Sequence, residues 1–199
     1  MSIIKANLFF RKGGIILLIY IIEEKRGIFD LLRSMIKKSG KYIFLYGDAE
    51  FSGDIKKYID NNEVLVFKAV SPDSCINTEE KVDLAVFGDL KSGAVNINFK
   101  TVKTFLLNIE NINKLKNIDF GASQTITCGL HEKDTVIFSS IDADERSVML
   151  ELQRSIINIK GGGVEPFEKK IALECGIGSE GTGDALFALA ALMYCGRLE

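Results

Sequence analysis

The chain has 199 residues, 47% of them hydrophobic and 26% charged, a composition typical of one globular domain and not of a disordered chain. Its 25 basic and 27 acidic residues leave a net charge of −2, so the composition gives no reason to expect binding to nucleic acid or to an anionic membrane. The single histidine excludes a zinc site built on several imidazoles, and we expect neither a metal ion nor a cofactor.

The longest apolar run, Ile15–Ile22, has eight residues, far fewer than the roughly 20 that cross a membrane. Basic residues precede it, as in a signal peptide, but Glu23-Glu24-Lys25-Arg26 follows it in place of a small-x-small cleavage site. We therefore interpret the run as a buried strand and expect a cytoplasmic protein. At the other end, Leu198-Glu199 resembles a cloning scar.

The first two thirds of the chain alternate between apolar strands and helical patterns. After Ile15–Ile22, apolar residues from Ile28 to Ile36 follow the spacing of one helix face, and Gly40 ends that helix. Short helices are predicted near Ile55–Ile59 and Asn111–Asn117. Further strands are predicted at Tyr42–Tyr46, Val64–Val70, Leu84–Phe87, Thr104–Leu107 and Thr125–Cys128. Apolar strands separated by helices predict an α/β fold whose mainly parallel, doubly wound sheet is covered on both faces.

The pattern changes after Gly129. Strands predicted at Val136–Ile141, Val148–Leu152 and Ile171–Leu173 are separated by turns, which favours an antiparallel β extension with one solvated face. An apolar helix is predicted over Asp184–Tyr194. We expect one domain over residues 1–197, with a parallel part over 14–129, a β-meander over 130–175, and a Gly-rich loop with the final helix over 176–196.

The four cysteines are widely spaced and form no C-x-x-C pair. This pattern predicts small buried thiols in a reducing compartment, with a disulfide pair or a catalytic thiol as the alternatives. They are Cys75, Cys128, Cys175 and Cys195.

Gly176-Ile177-Gly178-Ser179-Glu180-Gly181 matches the G-x-G-x-x-G pattern and lies between a predicted strand and a predicted helix. In a dinucleotide site, backbone N–H groups of such a loop bind a pyrophosphate at the start of a helix. Against this function, the sequence continues for only 18 residues after Gly181, and Glu180 would oppose a phosphate. The simpler interpretation is a flexible loop before a packed helix.

Polar residues follow three of the predicted strands. Asp48, Ser71 and Asp89 each lie at or just beyond a carboxyl end. Because ligands of open α/β sheets bind at that edge, these residues together predict a cleft, although each is also an ordinary loop residue.

Two other polar groups carry weaker signals. His131 lies in a polar turn with no cysteine or serine placed to act with it, so we expect a solvated side chain rather than a catalytic one. Asp142, Asp144 and Glu145 could suggest Ca²⁺ binding, but they lack the complete loop pattern, and a solvated hairpin turn is the preferred interpretation.

The collinear order of segments from about residue 14 to 196 resembles the central domain of the Mur ligases. These are cytoplasmic, ATP-dependent enzymes that join amino acids to the peptidoglycan precursor. Each segment resembles one family segment, and the match is specific as a set. The segments are Ile15–Gly47, Val66–Ser71, Val82–Leu90, Phe105–Asn111, Ile126–Leu130 and Asp184–Ala191.

The departures from the family fall on its chemistry. The family's phosphate loop, G-T-N-G-K-[ST], is replaced by Ile21-Ile22-Glu23-Glu24-Lys25-Arg26-Gly27. The family's metal-binding Glu aligns with Ala69, and its metal-binding His falls in Lys91–Asn98, which contains no histidine. A family motif N-A-D-D aligns with Asn108–Asn111, in which only the Asn is kept, as Asn108. A second family motif, H-N-x-x-N, aligns with Glu180–Asp184 and is not kept. Phosphoryl transfer depends on positioning and charge neutralisation, which this site lacks.

The resemblance and its departures leave three hypotheses. The preferred one is a non-catalytic binding or regulatory protein linked to cell-wall precursor synthesis. The second is a nucleotide binder or ATP-dependent ligase-type enzyme that uses the Gly176–Gly183 loop, and the third is an interaction subunit that pairs with a full ligase. The partner would be a small molecule, another protein or a second copy of the chain. The candidate ligand-binding residues are Asp48, Ser71, Asp89, Asn108, Gly178, Gly181 and Asp184.

Overall fold

A computed structural model describes residues 16–36, 42–47, 64–73, 76–90, 95, 97–115, 118–142, 144, 146–173 and 181–198. The strands and helices, in chain order, are β1 (Ile16–Ile22), α1 (Gly27–Ile36), β2 (Tyr42–Tyr46), β3 (Val64–Val70), β4 (Ile76–Phe87), β5 (Ile97–Leu107), a 3₁₀ helix (Ile109–Lys114), β6 (Gln124–Gly129), β7 (Val136–Asp142), β8 (Ser147–Leu152), β9 (Ile156–Ile157), β10 (Gly163–Val164), β11 (Phe167–Ala172) and α2 (Thr182–Tyr194). The helix predicted near Ile55–Ile59 lies outside the described residues.

Nine strands form one sheet in the order β11-β8-β7-β6-β5-β4-β1-β3-β2. From β2 to β7 all neighbouring strands are parallel, and the β7–β8 and β8–β11 pairs are antiparallel. The predicted α/β class with an antiparallel extension is therefore confirmed. The extension is continuous with the parallel part, because β6 pairs with β5 through Gln124–Thr127 and with β7 through Cys128 and Gly129.

Strands β4 and β5 are much longer than the sequence predicts. Their carboxyl halves are the apolar segments predicted as Leu84–Phe87 and Thr104–Leu107, but they begin at Ile76 and Ile97. The added halves are rich in charged and polar residues, so an apolar pattern could not reveal them. They pair with each other across a register shift between Thr78 and Lys81.

Alternate residues of β1 enter two separate cores. Leu17, Ile19 and Ile21 pack on the face that carries α1 and α2, and Leu18, Tyr20 and Ile22 pack on the opposite face. Burial of each large aliphatic side chain contributes about 1.5–3 kcal/mol, so β1 stabilises the sheet from both faces.

Both sheet faces are buried, as predicted, but they are covered differently. The two described α-helices lie on the same face, and within the described residues the other face is covered by Leu90, Val95, Leu115 and Ile118 from the non-strand segments. Ala185 to Tyr194 of α2 are all buried, which explains why its apolar residues are not confined to one stripe. Cys128 and Cys195 are buried, and Cys75 and Cys175 lie outside the described residues. Neither α1 nor α2, the α-helices of the described part, is long and apolar enough to cross a membrane.

A buried aspartate connects β4 to β1 and α2. Asp83 Oδ2 accepts a hydrogen bond from the Leu18 N–H (3.0 Å), one residue before the β1–β4 pairing begins. Asp83 Oδ1 lies 3.3 Å from Lys103 Nζ, and the Asp83 carbonyl accepts a bond from the Tyr194 hydroxyl (3.1 Å). The aspartate thus satisfies a backbone donor that the strand ladder leaves unpaired.

We expect Asp83→Ala to lower the free energy of unfolding by about 2–4 kcal/mol, because it leaves the buried Leu18 N–H without its acceptor. Asp83→Asn keeps an oxygen acceptor and should cost less. Lys103→Ala removes a partly exposed ion-pair partner and should cost less than about 1 kcal/mol. Urea unfolding of the three variants tests this order, which would be contradicted if Lys103→Ala were the most destabilising.

Candidate functional site

The described candidate residues all follow strands of the parallel sheet or begin α2. Asp48 and Gly178 lie outside the described residues. The other positions are Ser71 after β3, Asp89 after β4, Asn108 after β5, Gly181 immediately before α2, and Asp184 in the first turn of α2. The parallel register of β1, β3, β4 and β5 places their carboxyl ends at one edge, as the sequence predicted.

The start of α1 is capped by Glu23, the residue that follows β1. Glu23 Oε2 accepts a hydrogen bond from the Ile28 N–H (2.9 Å), and Oε1 accepts one from the Phe29 N–H (3.1 Å). The first helical bond runs from the Asp30 N–H to the Arg26 carbonyl, so the N–H groups before Asp30 have no partner within the helix. Arg26, directly before α1, is not a typical capping residue. The Glu23 carboxylate therefore occupies the position where the N-terminus of a helix can bind an external anion.

Close packing buries this carboxylate. Glu23 is 7% exposed, and a side chain at Gly88 would meet the Glu23 Cβ and the Ile28 Cδ1. The Gly88 N–H in turn donates to the Ile22 carbonyl at 2.9 Å. The segment after β4 thus holds the end of β1 and the stem of Glu23 in place.

The N-terminus of α2 meets the N-terminus of α1 through Asp184. A Cβ atom at Gly27 would overlap the Asp184 carboxylate, so this close approach requires glycine. Asp184 is half-buried and lies in the first turn of α2. Two carboxylates, from Glu23 and Asp184, therefore lie against the first turn of α1.

Burial changes the proton affinity of both groups. Loss of hydration raises the pKa of Glu23 to about 7; its bonds from Ile28 and Phe29 lower it, and the charges of Asp184 and Asp30 raise it further. Burial also raises the pKa of Asp184. The negative charge of Asp89 raises it further, and the positive charge of Lys25 lowers it. We call Glu23, Asp30, Asp89, Asp184 and Lys25 the acidic junction.

The two basic residues of the β1–α1 loop are oriented differently. Lys25 acts electrostatically on Asp184. The guanidinium carbon of Arg26 lies 3.4 Å from the centroid of the Tyr46 ring, a cation–π contact at the end of β2.

The 3₁₀ helix after β5 fixes the segment that carries Asp89. Asn108 Oδ1 accepts the Glu110 N–H (2.9 Å) and thereby caps the 3₁₀ helix. Asn111 Nδ2 donates to the Gly88 carbonyl (3.2 Å), and Lys114 Nζ donates to Asn111 Oδ1 (3.0 Å) and to the Leu90 carbonyl. Asn108, predicted as a ligand-binding residue, thus has a local capping contact in the structure.

Sequence reasoning missed two residues of this site. Asn111 was not a candidate, although it is 3% exposed and joins the 3₁₀ helix to Gly88. The polar spacing Asn108-x-x-Asn111-x-x-Lys114 was the available signal. Glu23 was noted for its charge but not as a helix cap, because it lies four residues before the helix begins.

The remaining sequence candidates have separate local contacts. Ser71 Oγ accepts the Asp73 N–H (3.4 Å) in an exposed turn. His131 Nε2 lies 3.2 Å from Glu110 Oε1, and both side chains are exposed. Asp142 and Asp144 are exposed around the β7–β8 turn, and in the described part of the chain no group of three acidic, histidine or cysteine side chains could hold a metal ion.

The comparisons with known proteins agree with this architecture. No protein-family model matches the chain, and no curated protein matches it in sequence. Among solved structures, the chain is similar to MurF from Acinetobacter baumannii, with a TM-score of 0.53 and 10% sequence identity. The fold is like that of a Mur ligase central domain. The match covers 91% of this chain but only 43% of MurF, so the chain spans less than half the length of that Mur ligase.

The raised pKa of Glu23 predicts that stability falls as the pH rises. An ordinary Glu has a pKa of 4.5, whereas folded Glu23 has a pKa of about 7, so between these values the folded chain binds more protons than the unfolded chain. The stabilisation from this proton is complete below about pH 4.5 and is lost as the pH rises through 7. From pH 5 to pH 8 the loss should be about 2–3 kcal/mol.

Urea unfolding at several pH values measures this loss. Glu23→Gln cannot ionise, so its stability relative to the wild type should increase with pH by the same amount. Glu132→Gln changes an exposed glutamate in the turn after β6 and should follow the wild type. An equal fall in the wild type and in Glu23→Gln would contradict the assignment to Glu23.

Proposed function

We propose that the chain is a non-catalytic, Mur ligase-like protein with a binding or regulatory role linked to cell-wall precursor synthesis. The observation that carries the proposal is the carboxylate of Glu23, which is bonded to the first N–H groups of α1. The link to cell-wall synthesis is supported by the fold shared with MurF and by the order of the segments that resemble the Mur ligases.

A phosphate loop functions because several N–H groups converge on phosphate oxygens while a lysine and a metal ion offset the negative charge. Here Glu23 accepts the N–H groups of Ile28 and Phe29. An incoming phosphate would have to displace this buried carboxylate and would then face Asp89 and Asp184. At an effective dielectric constant of about 20, each carboxylate about 4 Å away would oppose one phosphate charge by roughly 4 kcal/mol before screening.

Two positions that the resemblance aligns with family site residues support the same proposal. Ala69, aligned with the family's metal-binding Glu, is a buried residue of β3 and has only a methyl side chain. Asn108, aligned with the Asn of a family motif, caps the 3₁₀ helix. Ala69 offers no ligand for a metal ion, which in phosphoryl transfer offsets the charge of the phosphate.

A binding role is supported by exposed apolar side chains around the carboxyl edge of the sheet. Leu130, which follows β6, is 77% exposed, and Tyr46, Ile109 and Ile112 are exposed near the ends of β2 and β5. These exposed apolar side chains are available to contact another molecule. The partner in this proposal is a protein or a small molecule rather than a nucleotide phosphate.

Isothermal titration calorimetry with ATP and Mg²⁺ tests the non-catalytic proposal. We expect no binding tighter than about 1 mM, equivalent to roughly −4 kcal/mol. Micromolar binding by the wild type would overturn the proposal. If substitution of Gly178 or Gly181 then removed that binding while substitution of Glu23 and Glu24 did not, the alternative nucleotide site at Gly176–Gly183 would replace it.

The role of the Glu23 carboxylate is tested with inorganic phosphate. Glu23→Ala frees the N–H groups of Ile28 and Phe29 and removes one negative charge, so it should bind phosphate about fivefold more tightly than the wild type, equivalent to about 1 kcal/mol. Glu132→Ala removes an exposed charge elsewhere and should show no such change. If the two variants bound phosphate equally, Glu23 would not be the group that excludes the anion.

A further inference from the structure

The N-termini of α1 and α2 meet through carboxylates rather than through apolar side chains. The Glu23 carboxylate is bonded within the first turn of α1, and the Asp184 carboxylate lies against Gly27, where α1 begins. Both carboxylates thus lie beside residues 27–29, and two poorly hydrated like charges repel each other when both are ionised.

We propose that this contact depends on a bound proton: the first turn of α2 packs on α1 while Glu23 is protonated and loosens when Glu23 ionises. This device is independent of the proposed function, because it requires no ligand.

Among the described residues, the charged groups of this junction come from three segments besides the loop that carries Glu23. Asp30 of α1 and Asp184 of α2 act on Glu23, and Asp89, after β4, acts on Asp184. Lys25, in the loop before α1, is the base that acts on Asp184, while Arg26 lies over Tyr46 and Glu24 is exposed. The acids outnumber the bases among these described groups, so ionisation of Glu23 adds negative charge to an acidic junction.

The pKa of Glu23 lies near neutral pH, as the proposal requires. Burial and the surrounding carboxylates raise the pKa of Glu23 to about 7, and burial with Asp89 raises that of Asp184. The protonation state of the junction therefore changes around neutral pH.

The burial pattern of α2 indicates which part would respond. Ala185 to Tyr194 are buried in the core and keep the body of the helix in place. By contrast, Gly183 is exposed, Thr182 is half-buried, and Gly181 provides no side-chain hydrogen bond to cap the helix. Asp184 contacts Gly27 from this turn. Repulsion between the Asp184 and Glu23 carboxylates should therefore open the first turn of α2 locally.

The same ionisation should have the opposite effect on α1. A charged carboxylate accepts hydrogen bonds from the N–H groups of Ile28 and Phe29 more strongly than a neutral one, and it interacts favourably with the helix dipole. Protonation therefore favours the α2 contact, while ionisation favours the α1 cap. This opposite response distinguishes the proposal from general unfolding at high pH.

Amide hydrogen exchange of the full chain, measured by NMR at pH 6 and pH 8 and corrected for intrinsic exchange, tests the proposal. In the wild type, protection of the Ala185 and Leu186 amides should fall about tenfold. Amides of Val148 and Leu150 in β8 report the loss of global stability, and at pH 8 Ala185 and Leu186 should exchange faster than these reference amides, whereas Ile28 and Phe29 should not. No fall at Ala185 and Leu186, or exchange at pH 8 as slow as that of the reference amides, would overturn the proposal.

Matched variants assign the effect. Glu23→Gln should remove the pH dependence of protection at Ala185 and Leu186, whereas Glu132→Gln should retain it. If Glu23→Gln does not fold, Asp184→Asn provides the same test, because it removes the second charge of the pair. Retention of the wild-type fall in the folded variant, whichever is used, would overturn the proposal.

A carboxyl titration separates electrostatic coupling from a purely structural role. With ¹³C-labelled glutamate side chains, the Glu23 titration midpoint should move to lower pH in Asp184→Asn, because one repelling charge is gone. The midpoint should stay unchanged in the Glu132→Gln control. An unchanged midpoint in Asp184→Asn would show that the two carboxylates are not coupled and would overturn the proposal.

Discussion

The candidate site depends on one hydrogen-bonded carboxylate, that of Glu23 at the start of α1. It accepts hydrogen bonds from two N–H groups that have no partner within the helix. Because an unpaired buried donor costs roughly 1–3 kcal/mol, the chain satisfies these groups itself rather than leaving them for a ligand. The order of β1, loop and α1 fits a Mur ligase-like fold, and at the end of β1 the chain caps its own helix.

Burial of the Glu23 carboxylate costs free energy and raises its pKa. Removing a carboxylate from water is unfavourable, and its two hydrogen bonds only partly offset the loss, so the pKa of Glu23 rises to about 7. The second helix contributes Asp184 to the same place, where the absence of a side chain at Gly27 allows the close approach. The junction of two helices is therefore held together in a region of excess negative charge, which connects its packing to pH.

The fold around the junction supports this strained arrangement through apolar packing. Strand β1 supplies alternate residues to two cores, and α2 is buried along almost its full length. The similarity to MurF shows that this framework is of the Mur ligase central-domain type. The free energy gained from this apolar packing can offset the cost of burying the Glu23 carboxylate.

Sequence patterns were sufficient for the regular, buried elements. The apolar composition of β1, β3 and the carboxyl halves of β4 and β5 predicted parallel strands, and the α/β class followed from their alternation with helices. The same patterns missed the charged halves of β4 and β5, which pair with each other as parallel strands although their sequence is not apolar. The described α-helices share one face, which periodicity cannot indicate because it shows that a helix has an apolar face but not where that face packs.

The sequence by itself determined the apolar strands, the α/β class and the position of Ser71, Asp89 and Asn108 after strands of the parallel sheet. It also placed two glutamates, Glu23 and Glu24, directly after β1. Only the tertiary structure decided that Glu23 turns back to cap α1, that Asp184 from the far end of the chain lies against Gly27, and that Asn111 binds Gly88. These contacts join residues distant in sequence, and their effect on charge and proton affinity arises from shared burial, which no local pattern encodes.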